Sequence, residues 1–245
     1  MREVRQKSAA AGKVSGILET TDIPVRSCEN PGVAVTEDNS TDPWLEKTLQ
    51  VVRDEVNAFV LRFARHPYRH RVEHSLHAEL FEVIAIGLGA GFADEPQVRI
   101  DAGMPGRAYL TTPVHKEWPL FVGRKRRGNV DLAILTPQHL EGLTIANFHN
   151  GLTPADIGVE VGLDYDFGHL RRDSEKLERS GLRNWFLVHL DRKRHRQRTV
   201  EELENFVRQN SRADSLAYAW HNPVVDSSRY KLLGGSEICS FEHVS

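Results

Sequence analysis

Two carboxylates set in apolar, strand-like runs are the residues with most chemical consequence in this 245-residue chain. Asp131 stands in GNVDLAIL and Glu160 in IGVEVGL. Side chains of a strand point alternately to its two faces, so Val130, Leu132 and Ile134 are expected on one side and Asp131, Ala133 and Leu135 on the other. In the second run, Ile157, Val159, Val161 and Leu163 oppose Gly158, Glu160 and Gly162. The small neighbours Gly158, Gly162 and Ala133 are expected to leave open space over both acids. If the two strands pair side by side, the acids converge across that space. Two close carboxylates raise each other's pKa unless a cation lies between them. A hard divalent cation, bound through one or two carboxylates, is the partner this chemistry suggests.

The elements that must position these acids are readable around them. Asp42-Pro43 is an N-cap followed by proline at the first helical position. Leu45, Leu49, Val52, Val56, Phe59, Val60 and Phe63 then predict an amphipathic helix ending near Pro67. A second helix is expected from about Arg71 to Leu88, its buried stripe running Leu76, Leu80, Val83, Ile84 and Gly87. Glu73 sits one turn before Leu76, at the edge of that stripe, where the helix dipole tolerates its charge. Beyond it, Gln97–Asp101 offers one short strand. Val114–Val122 and Asn129–Leu135 read as a hairpin joined by the basic turn Gly123–Gly128. After the strand Ile157–Leu163, a helix is expected over Asp166–Ser180 with Phe167, Leu170, Ser174 and Leu177 inward. Trp185–Leu190 is the short apolar run of a strand covered on both faces. Thr199 and Glu202 form a T-x-x-E capping box for a last helix reaching about Gln209. Weak alternation over Leu216–Trp220 adds at most an edge strand. The order implies one mixed sheet with helices on both faces.

Other constellations are weaker. His70, His74 and His77 fall at i, i+4 and i+7 with His66 before them, yet no HExxH and no nearby cysteine accompanies them. A half-buried polar face explains them better than zinc. Cys28 and Cys239 lie far apart, which suits neither a disulfide framework nor a cysteine zinc site. No G-x-S-x-G elbow, Walker A run or G-x-G-x-x-G after a strand is present. Net charge is only −2, but basic residues cluster at Arg124, Lys125, Arg126 and Arg127 and again between Arg192 and Arg198. A polyanion needs only such a local patch.

EHSLHAEL (Glu73 to Leu80), the hairpin HKEWPLF…GNVDLAIL, the strand GVEVGL and the helix HLRRDSEKL together resemble the PD-(D/E)XK, restriction-endonuclease-like superfamily over about half the chain. The resemblance implies an α/β fold with an α-β-β-β-α-β core. It implies that Glu73 matches the first-helix acid, Asp131 the metal-binding acid and Glu160 the second metal acid, with the Val161 carbonyl as a further ligand. Glu117 falls on the strand before Asp131, where relatives often carry an acid. His77 follows the first-helix Glu where a polar residue can touch substrate. The family's lysine two residues after Glu160 is replaced by Gly162. Lys176 is the first candidate to supply that cation, ahead of Arg172 and Lys116.

The activity so implied is Mg²⁺- or Mn²⁺-dependent hydrolysis of DNA phosphodiester bonds, with the polynucleotide lying across Arg124–Arg127. The alternative is a catalytically inactive relative that binds nucleic acid or protein. RNA in place of DNA and a homodimer are both left open. Residues 1–41 read as a flexible arm, 42–211 as the nuclease-like domain and 212–245 as a C-terminal extension. No signal-like or membrane-spanning segment is evident, so the cytoplasm is the expected location.

Overall fold

Fifteen helices and strands can be followed in the computed structural model, which describes residues 42–89, 98–101, 108–122, 125–141, 143–193, 197–209 and 212–242. The expected N-terminal arm lies outside them. Helix α1 (Pro43–Arg65) starts where its cap predicts: the Asp42 carboxylate accepts from the Trp44 N–H at 2.9 Å. Its face of Val52, Val56, Phe59, Val60 and Phe63 is buried. Helix α2 (Glu73–Gly87) begins on Glu73 itself and buries Leu76, His77, Leu80 and Ile84.

Strands β1 (Val98–Asp101) and β2 (Ala108–Thr111) form a separate antiparallel pair. The main sheet starts with β3 (Val114–Val122) and β4 (Lys125–Ile134), followed by short helices α3 (Pro137–Glu141) and α4 (Ile145–His149). Then come β5 (Ile157–Leu163), α5 (Phe167–Arg179), β6 (Asn184–Asp191), α6 (Gln197–Gln209), β7 (Leu216–Asn222), β8 (Ser227–Lys231) and β9 (Cys239–Glu242). The seven strands β3 to β9 lie in sequence order. Pairing is parallel for β5–β6 and β6–β7 and antiparallel elsewhere. This is the mixed α/β sheet expected. Its two parallel pairs are reached by helical crossovers, α5 and α6, as parallel pairing requires.

Two hydrophobic cores cover the two faces. Helices α1 and α2 pack on Leu132, Ile134, Val159, Val161, Val188 and Ala219. Helices α5 and α6 contribute Leu170, Leu177, Leu203 and Val207 against Ala133, Leu135, Trp185, Leu187 and Tyr218. Among the described residues, no helix is long and apolar enough to cross a membrane.

Several local expectations change. Strand β4 begins at Lys125, so Lys125 to Arg127 belong to a strand rather than a turn; Arg124 and the side chains of the other three lie outside the described residues. Helix α6 starts at Gln197, two residues before the expected cap, because Gln and Arg propagate a helix readily. Thr199 and Glu202 therefore sit within it.

The C-terminal residues read from sequence as an extension supply β7, β8 and β9, and β7 is interior rather than an edge. Its alternation looks weak because Ala217 and Ala219, small enough to lie under α1, occupy one face while Leu216, Tyr218 and Trp220 fill the other. Asn57 on α1 accepts the Leu233 N–H at 2.7 Å, tying that helix to the segment after β8.

Candidate carboxylate and metal site

The site lies where β4 and β5 part. The two strands pair only at Leu132–Val159, Ala133–Gly158 and Ile134–Ile157, and diverge before Asp131 is reached. Freed from a backbone partner, the Val161 N–H donates instead to the Asp131 carboxylate at 2.8 Å. The face alternation of β4 breaks there too. Leu132 packs under α2, but Val130 joins Ala133 and Leu135 on the α5 side, contrary to the simple reading. Asp131 is thus held in the seam between strands.

Opposite it, Glu117 takes φ +54° in the middle of β3. The residues on either side, Lys116 and Trp118, still pair with Leu132 and Val130. A left-handed residue without glycine inside a strand costs about 1–2 kcal/mol and persists only where its surroundings impose it. The result is that Glu117, Asp131 and His77 bring one ligand atom each within 4.8 Å of one another.

His77 is a hub. Its Nε2 lies 3.2 Å from the Val161 carbonyl, 3.6 Å from Asp131 Oδ2 and 3.9 Å from Glu73 Oε1. Its Nδ1 is buried and has no hydrogen-bond partner among the described residues. An imidazole facing three oxygens through Nε2 carries its proton there, which leaves Nδ1 bare. A cation held among these oxygens would take the place of that proton, which would move to Nδ1 and free the Nε2 lone pair.

Of the residues singled out from sequence, Glu160 lies 4% exposed on β5, with the Lys176 ammonium 2.7 Å from its Oε1. That ammonium also donates to the Asn129 carbonyl at 3.2 Å and lies 3.9 Å from Asp173. The spacing of α5 produces this: Leu170, Ser174 and Leu177 face the sheet, and Lys176 leans past them toward β4 and β5. Burial, then the nearby Asp131 charge, pushes Glu160 up to about 8 despite the lysine. Burial also raises Asp131, opposed by His77 and the Val161 N–H and reinforced by Glu117. Glu160 is not among the three residues in mutual ligand range; its near neighbour is Lys176. The Val161 carbonyl faces His77.

Glu73 accepts a hydrogen bond from the Tyr165 hydroxyl at 2.7 Å, and that carboxylate holds Tyr165 up at about 12. Tyr165 was not singled out from sequence. Its ring explains Gly162: a Cβ at that position would come within 3.1 Å of Tyr165 Cδ2. The Tyr165 ring thus crowds the Gly162 position, and it also stacks on His169 at 3.9 Å. Nor is Gly158 open space, since a Cβ there would meet Leu182 at 2.6 Å and Val130 at 3.2 Å.

The other candidates disperse. Arg172 reaches His169 at 3.3 Å, and Lys116 is exposed on β3. Arg192 is committed to Asp164, at 2.5 Å, and to the His70 carbonyl, at 2.6 Å. The histidine stripe does not converge: His70 precedes α2 and binds Glu79, His74 is exposed, and only His77 turns inward.

The donor set fits a divalent cation. Two carboxylates and an imidazole lie within ligand range, and Asp131 and Glu160 are both raised, first by burial and then by a neighbouring carboxylate whose charge a cation would offset. A cavity of about 490 Å³ between β3 and the end of α5 is lined by residues such as Leu120, Leu152 and Leu182, without an ionisable side chain, and is no reaction site. Compared with protein-family models, curated proteins and solved structures, the chain matches none.

Proposed function

We propose that the protein is a metal-dependent endonuclease that hydrolyses DNA phosphodiester bonds, built on a restriction-endonuclease-like core. The order α2-β3-β4-β5-α5-β6, with β4 antiparallel and β6 parallel to β5, supports that core. One observation carries the activity: Lys176 brings an ammonium within 2.7 Å of Glu160, beside Asp131, although the motif position itself is Gly162. A buried carboxylate pair with a cation borrowed from the following helix is suited to phosphoryl chemistry.

Asp131 and Glu117 would hold Mg²⁺ or Mn²⁺, with His77 at the rim of the site. When bound, the cation supplies charge to clamp a phosphate oxygen and to acidify water. Lys176 orients the attacking water and faces the negative charge that develops on the phosphate oxygens. Glu160 would act in its ionised form, which the charge of a bound cation would favour over the proton kept in the metal-free protein. It accepts the water's proton as the new P–O bond forms and an ester P–O bond breaks; solvent protonates the departing alkoxide. Glu73 and Tyr165 brace His77 from the α2 side.

A nuclease-fold module that binds without cutting is favoured by Gly162 and the ring of Tyr165. Plasmid nicking with Mg²⁺ or Mn²⁺ separates the two. Cleavage by the intact chain is expected to fall at least about 100-fold in Lys176→Met and in Asp131→Ala. Cleavage that survives Asp131→Ala and Glu160→Ala sinks the enzyme reading, and a chain that binds metal and DNA without nicking is the silent module.

A further inference from the structure

Glu117 has a second neighbourhood. Its outward side lines a cavity of about 370 Å³ between β3 and α4, walled by Lys116, Trp118, Phe148, His149 and Asn150. The rings there are locked together. His115 lies 5.0 Å from Trp118 and 5.2 Å from Phe148, and Trp118 meets Phe148 edge-on at 5.6 Å. The Trp118 indole N–H is fixed to the Thr153 carbonyl at 3.0 Å, so the wall is set before any ligand arrives. Phe148 is only half-buried, whereas Lys116, His149 and Asn150 are exposed around it.

We infer that this cavity is a nucleobase subsite, and that the DNA substrate presents an unpaired base beside the phosphate held at Asp131. The inference rests on the nuclease reading and names its substrate class. Three observations support it. The volume falls in the range of small-ligand pockets and suits a base with its sugar. The half-buried Phe148 ring and the exposed His149 ring, backed by the buried Trp118, offer a stacking surface that any base can use, whatever its sequence.

Last, the lining includes the exposed Glu117, which belongs at once to the cavity and to the metal-ligand group. A carboxylate there repels a phosphate but accepts from the amino group of a base. Asn150 adds a carboxamide with one N–H given to the Ala146 carbonyl, at 2.8 Å, leaving its second N–H and its oxygen for a ligand. A base stacked and paired in a duplex cannot enter such a cavity. It must be single-stranded, mismatched or turned out of the helix.

The test is fluorescence anisotropy of the full chain, in EDTA so that nothing is cut. Labelled single-stranded DNA is compared with the same sequence as a duplex. The single strand is expected to bind about tenfold tighter. Phe148→Leu, which keeps apolar volume under the cavity, and the exposed His149→Ala should each erode that preference while duplex affinity stays constant. Thermal unfolding of each variant guards against a folding defect. Equal affinity for both forms in the intact protein, or variants that weaken both alike, overturns the subsite and leaves the nuclease reading standing. No affinity for either form also overturns the subsite, while plasmid nicking with Mg²⁺ or Mn²⁺ tests the nuclease reading separately.

Discussion

Two carboxylates are buried to nearly the same depth at different places in this fold, Glu160 on β5 at 4% exposure and Glu204 on α6 at 5%. Their surroundings differ sharply. Glu204, on α6, receives the Tyr218 hydroxyl at 3.2 Å, the Arg229 guanidinium at 2.8 Å and Arg208 at 3.7 Å. Two positive charges and a hydroxyl answer one negative charge. Glu160 has one lysine, and it shares that lysine with Asp173 while Asp131 presses on it from β4. The first arrangement fastens α6 to β7 and β8. The second is left short of positive charge, the condition in which a divalent cation gains most by binding. Burial alone, then, says little; what separates the two acids is how fully their charge is compensated.

Breaking the Glu204 cluster should have the larger effect on stability. Glu204→Gln strands two arginines, and because both are partly exposed the loss is expected near 2 kcal/mol rather than the full value for a buried pair. Glu160→Gln should instead raise stability at pH 7, because folding must return to Glu160, held at about 8, a proton that the unfolded chain has already released. Urea denaturation of the metal-free variants reads both. A Glu160→Gln loss as large as that of Glu204→Gln would erase the distinction.

The same contrast has a pH signature. In the metal-free protein Glu160 keeps its proton to about 8, whereas the unfolded chain releases it near 4.5. Between those values the folded state binds more protons, so its stability declines as pH rises through that window. The difference in unfolding free energy between the intact protein and Glu160→Gln, followed from pH 5 to 8, should therefore shift steadily in favour of the glutamine variant. A flat difference would mean that Glu160 is not raised.

Much of this arrangement was legible before folding. Face alternation singled out Asp131 and Glu160, and the spacing of α5 made Lys176 reachable. What was hidden depended on departures from regular geometry. Glu117 is aimed by a left-handed residue that no periodicity encodes. The switch of Val130 to the other face follows from β4 parting from β5, a register event. Tyr165 was invisible because its role depends on filling the space above Gly162, and the interior place of β7 because alanines carry little hydrophobic signal.

The central claim is that the cluster around Asp131 holds one divalent cation. Titration calorimetry of Mn²⁺ and Mg²⁺ into the intact protein and Asp131→Asn tests it most directly. A single site is expected, with Mn²⁺ about tenfold tighter than Mg²⁺ because His77 offers an imidazole beside the carboxylates. Loss of that site is expected in Asp131→Asn. No binding by the intact protein, or equal binding by Asp131→Asn, would contradict it.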